Sequence, residues 1–254
     1  MTVYQCEDSL ESIFTAIYNA YEEHREHRDT RISLNDELVL FAEYVPVTAD
    51  ADKSAKVMRT LERRFGEKDF ESVCLALSSP AEDKGQAVYQ TVVKGLAGKV
   101  RPGQLLSNLA DPDCNRVFAL ARTAGRELHH LYGFLRFEEV REGILFAVIG
   151  PKNHVLTFLM VHFSDRFPME NFVIFDEKRG LSGVHPAGGE WYLTHCGAED
   201  CETGTLQTSG REQQIQELFR RFCDTIGIRE RENRNLQRSM LPLRFREHMV
   251  EFKQ

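Results

Sequence analysis

Long apolar runs, CxxC motifs and an excess of basic residues are all missing from this sequence of 254 residues. No stretch approaches the roughly 20 consecutive apolar residues that a membrane-spanning helix needs, so we expect no membrane association. The N-terminus has neither the basic nor the apolar region of a secretory leader, and we therefore expect a cytoplasmic protein. The formal net charge of −7 excludes a uniformly basic nucleic-acid-binding surface but leaves room for a local basic patch.

The spacing of the cysteines excludes the common metal and cluster motifs. The one close pair, Cys196 and Cys201, is too widely spaced for a CxxC motif and has no second pair to complete a zinc site. The CxxxCxxC arrangement that holds the cluster of a radical enzyme is also missing. We therefore expect reduced thiols, no bound metal and no cofactor.

Residues 122–146 carry the clearest structural signal. Up to Tyr132 the apolar residues recur at intervals of three and four, which predicts one face of a helix. From Phe134 onward, aromatic and β-branched residues lie on both sides of a glycine-containing turn, which predicts a β-hairpin. Gly133 lies where the period changes, and a helix C-cap there favours glycine because glycine can adopt positive φ. The pattern places two histidines and an arginine where a helix meets a hairpin.

Similar periodicities divide the rest of the chain into strand-rich and helical blocks. The predicted blocks are a strand–helix–strand unit at 1–47 whose last strand spans 37–47, a helical insertion at 50–132, a β-β-α-β-β-β series at 134–195, and a helical tail at 211–254. This order predicts an α+β protein with a mixed or antiparallel sheet, a multi-helix insertion and a C-terminal helical tail. We expect 1–196 to form one α+β domain and 197–210, which is poor in large apolar residues, to be a linker.

The tail at 211–254 differs in charge from the rest of the chain. It has ten Lys or Arg residues against seven Asp or Glu residues, a net charge of +3, so that residues 1–210 carry −10. Its apolar residues Leu236, Met240 and Leu243 alternate with arginines. They either pack back onto this protein or dock a partner protein or nucleic acid, and both interpretations stay open.

Histidines, arginines and one aspartate, from the predicted hairpin to the C-terminal tail, are candidate site residues. The catalytic candidates are His129, His162 and Asp176, because acid–base chemistry needs a titratable base and an orienting carboxylate. Candidate phosphate- or nucleic-acid-binding residues share a guanidinium group that can bind two oxygens at once: Arg136, Arg166, Arg179, Arg238 and Arg244. Histidines among several arginines favour an anion site over a metal site. The alternative is structural, with His162 in the core and Asp176 and Arg179 closing a turn.

Several motifs resemble one family of bacterial proteins. These motifs are Gly125-Arg126-Glu127-x-His129, Gly133-Phe134-x-Arg136-Phe137, His162-Phe163-x-x-Arg166-Phe167, Asp176-x-x-Arg179-Gly180, Gly189-Glu190-Trp191 and Arg231-x-Asn233…Leu236-Gln237…Met240-x-Pro242-x-Arg244. The family consists of proteins of unknown chemistry designated "probable DNA metabolism" proteins, and the resemblance covers essentially the whole chain. Two positions depart from its pattern, since His130 lies where an arginine is expected and Arg234 lies where a proline is expected.

The resemblance implies a role and a partner. Members look like partners of a radical-SAM protein proposed to act in DNA modification or repair, and longer members continue into a uracil-DNA-glycosylase-like domain. We therefore expect a nucleic-acid-related accessory protein that works with a radical-SAM protein in DNA modification or repair, and whether it contacts DNA itself stays open. The residues leave two alternatives open, an independent phosphodiester or nucleotide hydrolase that uses His, Asp and Arg residues, and a non-catalytic scaffold.

Overall fold

The computed structural model describes residues 1–35, 39–98, 100–140, 143–195, 209–226 and 231–252. Its contacts divide the chain into two compact units, residues 1–126 and 127–254, and the boundary lies inside a long helix. Each unit contains a sheet, and helices follow the second sheet to the C-terminal region, so the predicted fold class is confirmed. The predicted linker at 197–210 lies outside the described residues except for its last two positions. No helix in these ranges has the length and apolar character that crossing a membrane requires.

The first unit, residues 1–126, combines a small parallel sheet with helices. Its elements are β1 (Thr2–Gln5), α1 (Leu10–Glu22), β2 (Thr30–Ser33), β3 (Glu43–Pro46), α2 (Ala51–Phe65), α3 (Glu67–Leu77), α4 (Lys84–Ala97) and the greater part of α5 (Pro112–Phe134). The strand order is β2-β1-β3, and Tyr4 in the central strand is paired with Ile32 and Val45. Ile13 and Phe14 of α1 are fully buried in a core shared with α2, α3 and α4. This apolar core explains why the helical insertion folds with the first strands.

The prediction for the strands of this unit is partly wrong. The strand expected at 37–47 is confined to β3, because Leu40 and Phe41 lie exposed in a turn and Phe41 has a positive φ of 62°. Residues 37 and 38 of the expected strand lie outside the described residues. The short strand β2 was missed, since its four residues follow a charged run and gain their strand geometry from pairing with β1.

The second unit, residues 127–254, is built on a five-stranded mixed sheet. It contains the end of α5 followed by β4 (Glu138–Val140), β5 (Ile144–Ile149), α6 (Leu156–Arg166), β6 (Asn171–Asp176), β7 (Leu181–His185), β8 (Tyr192–His195), α7 (Gly210–Ile226), α8 (Arg234–Met240) and α9 (Leu243–Arg246). The strand order is β4-β5-β6-β7-β8, with β5 and β6 parallel and the other neighbours antiparallel. The crossover helix α6 is what allows consecutive strands β5 and β6 to run parallel.

One face of the five-stranded sheet packs against α6. Ala147, Ile174 and Gly183 form one cross-strand row on this face, and all three are buried. Gly183 lies so close to Met160 of α6 that a Cβ atom at this position would overlap the methionine sulfur. The small residue therefore lets the helix approach the sheet.

The junction between α5 and the hairpin differs from its prediction. Gly133 does not have positive φ and does not cap the helix, because α5 continues to Phe134 and the Leu135 N–H donates to the Leu131 carbonyl at 3.0 Å. The predicted hairpin is confirmed as β4 and β5, but its first strand begins at Glu138 and not at Phe134, which still belongs to α5. In the turn between them Gly143 has a φ of 78°, whereas residues 141–142 lie outside the described residues.

Candidate functional site

The carboxyl end of β6 carries a buried ion pair. Asp176 is fully buried, and its carboxylate accepts hydrogen bonds from Arg179 Nη1 at 2.8 Å and from the Lys178 N–H at 3.1 Å. Arg179 also donates to the carbonyl oxygens of Pro151 at 3.3 Å and Lys152 at 2.8 Å. Because all these bonds are internal, Arg179 ties the turn after β6 to the loop that follows β5.

A second buried carboxylate, on α5, holds the same loop. Glu127 accepts hydrogen bonds from the N–H groups of Lys152 at 3.1 Å and Asn153 at 2.8 Å, and from the Asn153 side-chain amide at 2.6 Å. Arg244 Nη2 lies 3.3 Å from Glu127 Oε1. The loop thus offers its N–H groups to Glu127 and its carbonyl groups to Arg179.

Glu127 was not among the candidate residues derived from the sequence. It lies on the apolar side of α5, three residues after the buried Ala124 and next to the buried Leu128. A buried glutamate nearly always has hydrogen-bond donors. The position of Glu127 among the apolar residues of the helix could therefore have indicated a buried, hydrogen-bonded carboxylate. Its donors come from a loop 25 and 26 residues further along, which helix periodicity does not reveal.

Two ion pairs and one histidine–carboxylate contact attach the C-terminal segment to the rest of the second unit. Arg136 Nη2 donates to Glu251 Oε1 at 2.8 Å, Arg244 pairs with Glu127, and His248 Nε2 lies 3.3 Å from Glu177 Oε1. Between these contacts, Phe245 of α9 is buried and lines a small apolar crevice. The crevice lining includes Phe245 itself together with Leu131, Phe134, Leu135, Val148 and Pro151. The end of the tail therefore packs back onto the second unit through Phe245 and the residues after α9.

The remaining candidates lie apart from this network. His129 is exposed on α5, and the half-buried His162 packs its ring against Tyr132, with ring centres 4.2 Å apart. Arg166 is exposed and lies over the Phe167 ring at 5.7 Å. No hydrogen bond or ion pair joins either histidine to another candidate residue in the part of the chain that the structure describes. The catalytic candidates are therefore not brought together by any observed polar contact.

His130 differs from its neighbour because it is partly enclosed. Its ring lies 5.6 Å from the Phe134 ring and 5.5 Å from the Phe245 ring, and its Nδ1 atom has no hydrogen-bond partner among the described residues. Burial lowers the pKa of His130, and the nearby charge of Arg244 lowers that pKa further. The neutral imidazole is thus favoured, and it acts as a packing surface for α9.

Helix α7 presents an unusual orientation on the second unit. Its apolar residues form one stripe along the helix and are between 37% and 65% exposed. The apolar stripe of α7 consists of Ile215, Leu218, Phe219, Phe222 and Ile226. Its contacts with β4 are polar, since Ser209 just before the helix donates to Glu139 at 3.1 Å and Gln216 donates to Glu138 at 3.3 Å. The helix also bonds to the segment after α9, where Arg220 donates to the Val250 carbonyl at 3.3 Å. These hydrogen bonds come from polar residues, while the apolar stripe of α7 stays between 37% and 65% exposed.

Helix α8 is still more exposed than α7. Every residue from 231 to 240 is exposed, including Leu236, Met240 and the candidate Arg238. Leu243, at the start of α9, is exposed as well. These three apolar residues therefore do not pack back onto the protein, whereas Phe245 and the residues after α9 do.

Comparisons with known proteins identify one match. A family model described as a domain of unknown function (DUF4130) matches residues 82–251. No curated protein matches the chain, and no solved structure matches it. Among the described residues, no group of three or more His, Cys, Asp and Glu side chains could hold a metal ion.

Proposed function

The chain belongs to the DUF4130 family, and from this premise we propose that it is an accessory protein that docks a partner protein through the apolar stripe of α7. The family description assigns no activity, so the proposal draws on the geometry of the second unit and on the resemblance to "probable DNA metabolism" proteins. The partner that this resemblance implies is a radical-SAM protein, and the process that it implies is DNA modification or repair.

The orientation of α7 is the observation that carries the proposal. An amphipathic helix on a globular protein normally buries its apolar face and exposes its polar face. In α7 the polar residue Gln216 bonds to β4, while five large apolar side chains are between 37% and 65% exposed. Contiguous exposed apolar residues mark protein-binding sites, and aromatic residues such as Phe219 and Phe222 are enriched in the centres of interfaces.

The internal bonding of the candidate residues favours docking over hydrolysis. A general base must reach its substrate, and a phosphate-binding arginine needs donors that are free to bind oxygen. Asp176 and Arg179 instead bond to each other, and Arg136 bonds to Glu251 and to the Gly133 carbonyl. A hydrolase built on these residues would have to break the contacts that hold its own loops.

Co-purification of the full chain with its radical-SAM partner tests the proposal. Phe222→Glu places a charge in the stripe, and we expect it to weaken the complex roughly 30-fold or more, because a buried aromatic anchor contributes about 2 kcal/mol or more. Gln213→Glu is the matched control, since it adds the same charge to the same helix. The two positions are nine residues apart, about two and a half turns, and therefore lie on opposite sides of α7.

Both variants are first compared with wild type by urea unfolding. Because Phe222 is 57% exposed and Gln213 is exposed, we expect stability changes within about 0.5 kcal/mol for each. Loss of the partner with Phe222→Glu alone supports docking through the stripe. A complex as tight as wild type, or equal weakening by both variants, contradicts it.

A further inference from the structure

Helix α8 lacks the packing that normally stabilises a short helix. It has seven residues, all of them exposed, and its hydrogen bonds within the described ranges are local. The Asn233 side chain accepts from the Leu236 N–H at 3.0 Å, and Ser239 donates to the Leu236 carbonyl at 2.8 Å. An isolated helix shorter than about 12 residues is only marginally stable in water. We therefore expect that contact with a binding partner stabilises α8.

The two sides of α8 differ in chemistry. Arg234 and Arg238 are one turn apart and share a side, and Leu236 and Met240 share another side roughly opposite to it. Neither arginine forms an ion pair with any described residue. The arginine side carries no carboxylate within the helix, because residues 234–240 include neither Asp nor Glu.

The composition around α8 indicates recognition of phosphate rather than general attraction to negative charge. Both basic residues of α8 are arginines, and residues 211–252 contain nine arginines and no lysine. Four of the nine bond to other described residues of this protein, namely Arg220, Arg221, Arg244 and Arg246, whereas Arg234 and Arg238 are exposed. Arginine binds phosphate oxygens in pairs through its planar guanidinium, whereas lysine acts as a point charge. The neighbouring amides of Asn235 and Gln237 add donors of the kind that contact sugar and phosphate groups.

We propose that the arginine side of α8 binds the sugar–phosphate backbone of a nucleic acid through Arg234 and Arg238. This proposal rests on one part of the proposed function, namely that the process served by the protein and its partner involves nucleic acid. Two arginines four residues apart are separated by about 6 Å along the helix, close to the rise of about two nucleotides of one strand. An anionic membrane suits α8 less well, because its apolar side lacks the broad aromatic and leucine-rich surface of interfacial helices.

Fluorescence anisotropy with the full chain alone tests this proposal. The probes are labelled single-stranded DNA, single-stranded RNA and duplex DNA of about 16 nucleotides, each titrated at several salt concentrations. We expect Arg234→Gln/Arg238→Gln to raise Kd at least tenfold. The slope of log K against log salt should fall by roughly 1.4 for single strands or 1.8 for duplex, since two phosphate contacts are lost.

The matched control is Arg59→Gln/Arg63→Gln on α2. These arginines are exposed, have the same spacing of four residues, and their removal changes the net charge equally. Weaker binding with the α8 variant and unchanged binding with the α2 variant support the proposal. Equal weakening with both variants contradicts it, because binding would then follow net charge alone.

Two further titrations separate nucleic acid from other anionic ligands. Vesicles of phosphatidylglycerol with phosphatidylcholine present lipid phosphate, and poly-glutamate presents carboxylates without phosphate. Binding to either as tight as binding to the oligonucleotides overturns the proposal, as does no binding to any oligonucleotide. Failure of Phe222→Glu to release the partner contradicts only the docking function, because the anisotropy experiment contains no partner.

Discussion

Removal of the Arg179 side chain should destabilise the second unit strongly. Arg179→Ala leaves the fully buried Asp176 carboxylate with the Lys178 N–H but without its cation, and it leaves two loop carbonyls without a donor. Breaking a buried ion pair by removing one partner costs about 3–5 kcal/mol. Because the Arg179 side chain is 24% exposed and water can partly replace it, we expect the lower end, about 3 kcal/mol.

Urea unfolding followed by the fluorescence of Trp191 measures this change. Trp191 is the only tryptophan and lies next to β8, so it reports on the second unit. Adding Asp176→Asn to Arg179→Ala removes the unpaired charge, and the double variant should lose less than the sum of the single variants by about 1–2 kcal/mol. Arg166→Ala is the control, because Arg166 is exposed and should change stability by less than about 0.5 kcal/mol.

One result would refute this reasoning and restore the anion-site hypothesis. If Arg179→Ala unfolds at the same urea concentration as wild type but binds inorganic phosphate or a phosphate-bearing ligand more weakly, the guanidinium is free to bind anions in solution. The contacts with Asp176 and the loop carbonyls would then add little to stability, and Arg179 would belong to a binding site.

Two further predictions concern packing around His130 and Gly183. Because the folded state lowers the pKa of His130, the unfolded state binds more protons below about pH 6.5, and stability should fall as the pH falls from there. His130→Phe should flatten this part of the urea-stability profile, and an unchanged slope would assign it to other groups. Gly183→Ala should destabilise by about 1–3 kcal/mol through overlap with Met160. Gly125→Ala is the comparison, because a Cβ atom there would lie 3.7 Å from Leu75 Cδ1, and we expect it to preserve or raise the melting temperature. A Gly125→Ala variant that is less stable than Gly183→Ala would contradict this prediction.

The positions of the elements were largely predictable because the signal is local. Apolar residues at intervals of three and four predicted α5, and aromatic and β-branched runs predicted β5 and β6. The short strand β2 was not predictable in this way, since four residues carry too little pattern and its geometry comes from pairing with β1. The cap at Gly133 was wrong because glycine permits positive φ without requiring it.

The roles of the charged residues depended on tertiary structure. The sequence alone located arginines and an aspartate in motifs at and after the hairpin, but a charged side chain does not specify its partner. Arg136 pairs with Glu251, 115 residues away, and Glu127 bonds to a loop that only the packing of the second unit brings to it. Tertiary packing also determined that the apolar stripe of α7 is exposed. Periodicity shows that a helix has an apolar side, but it does not show which side the rest of the protein covers.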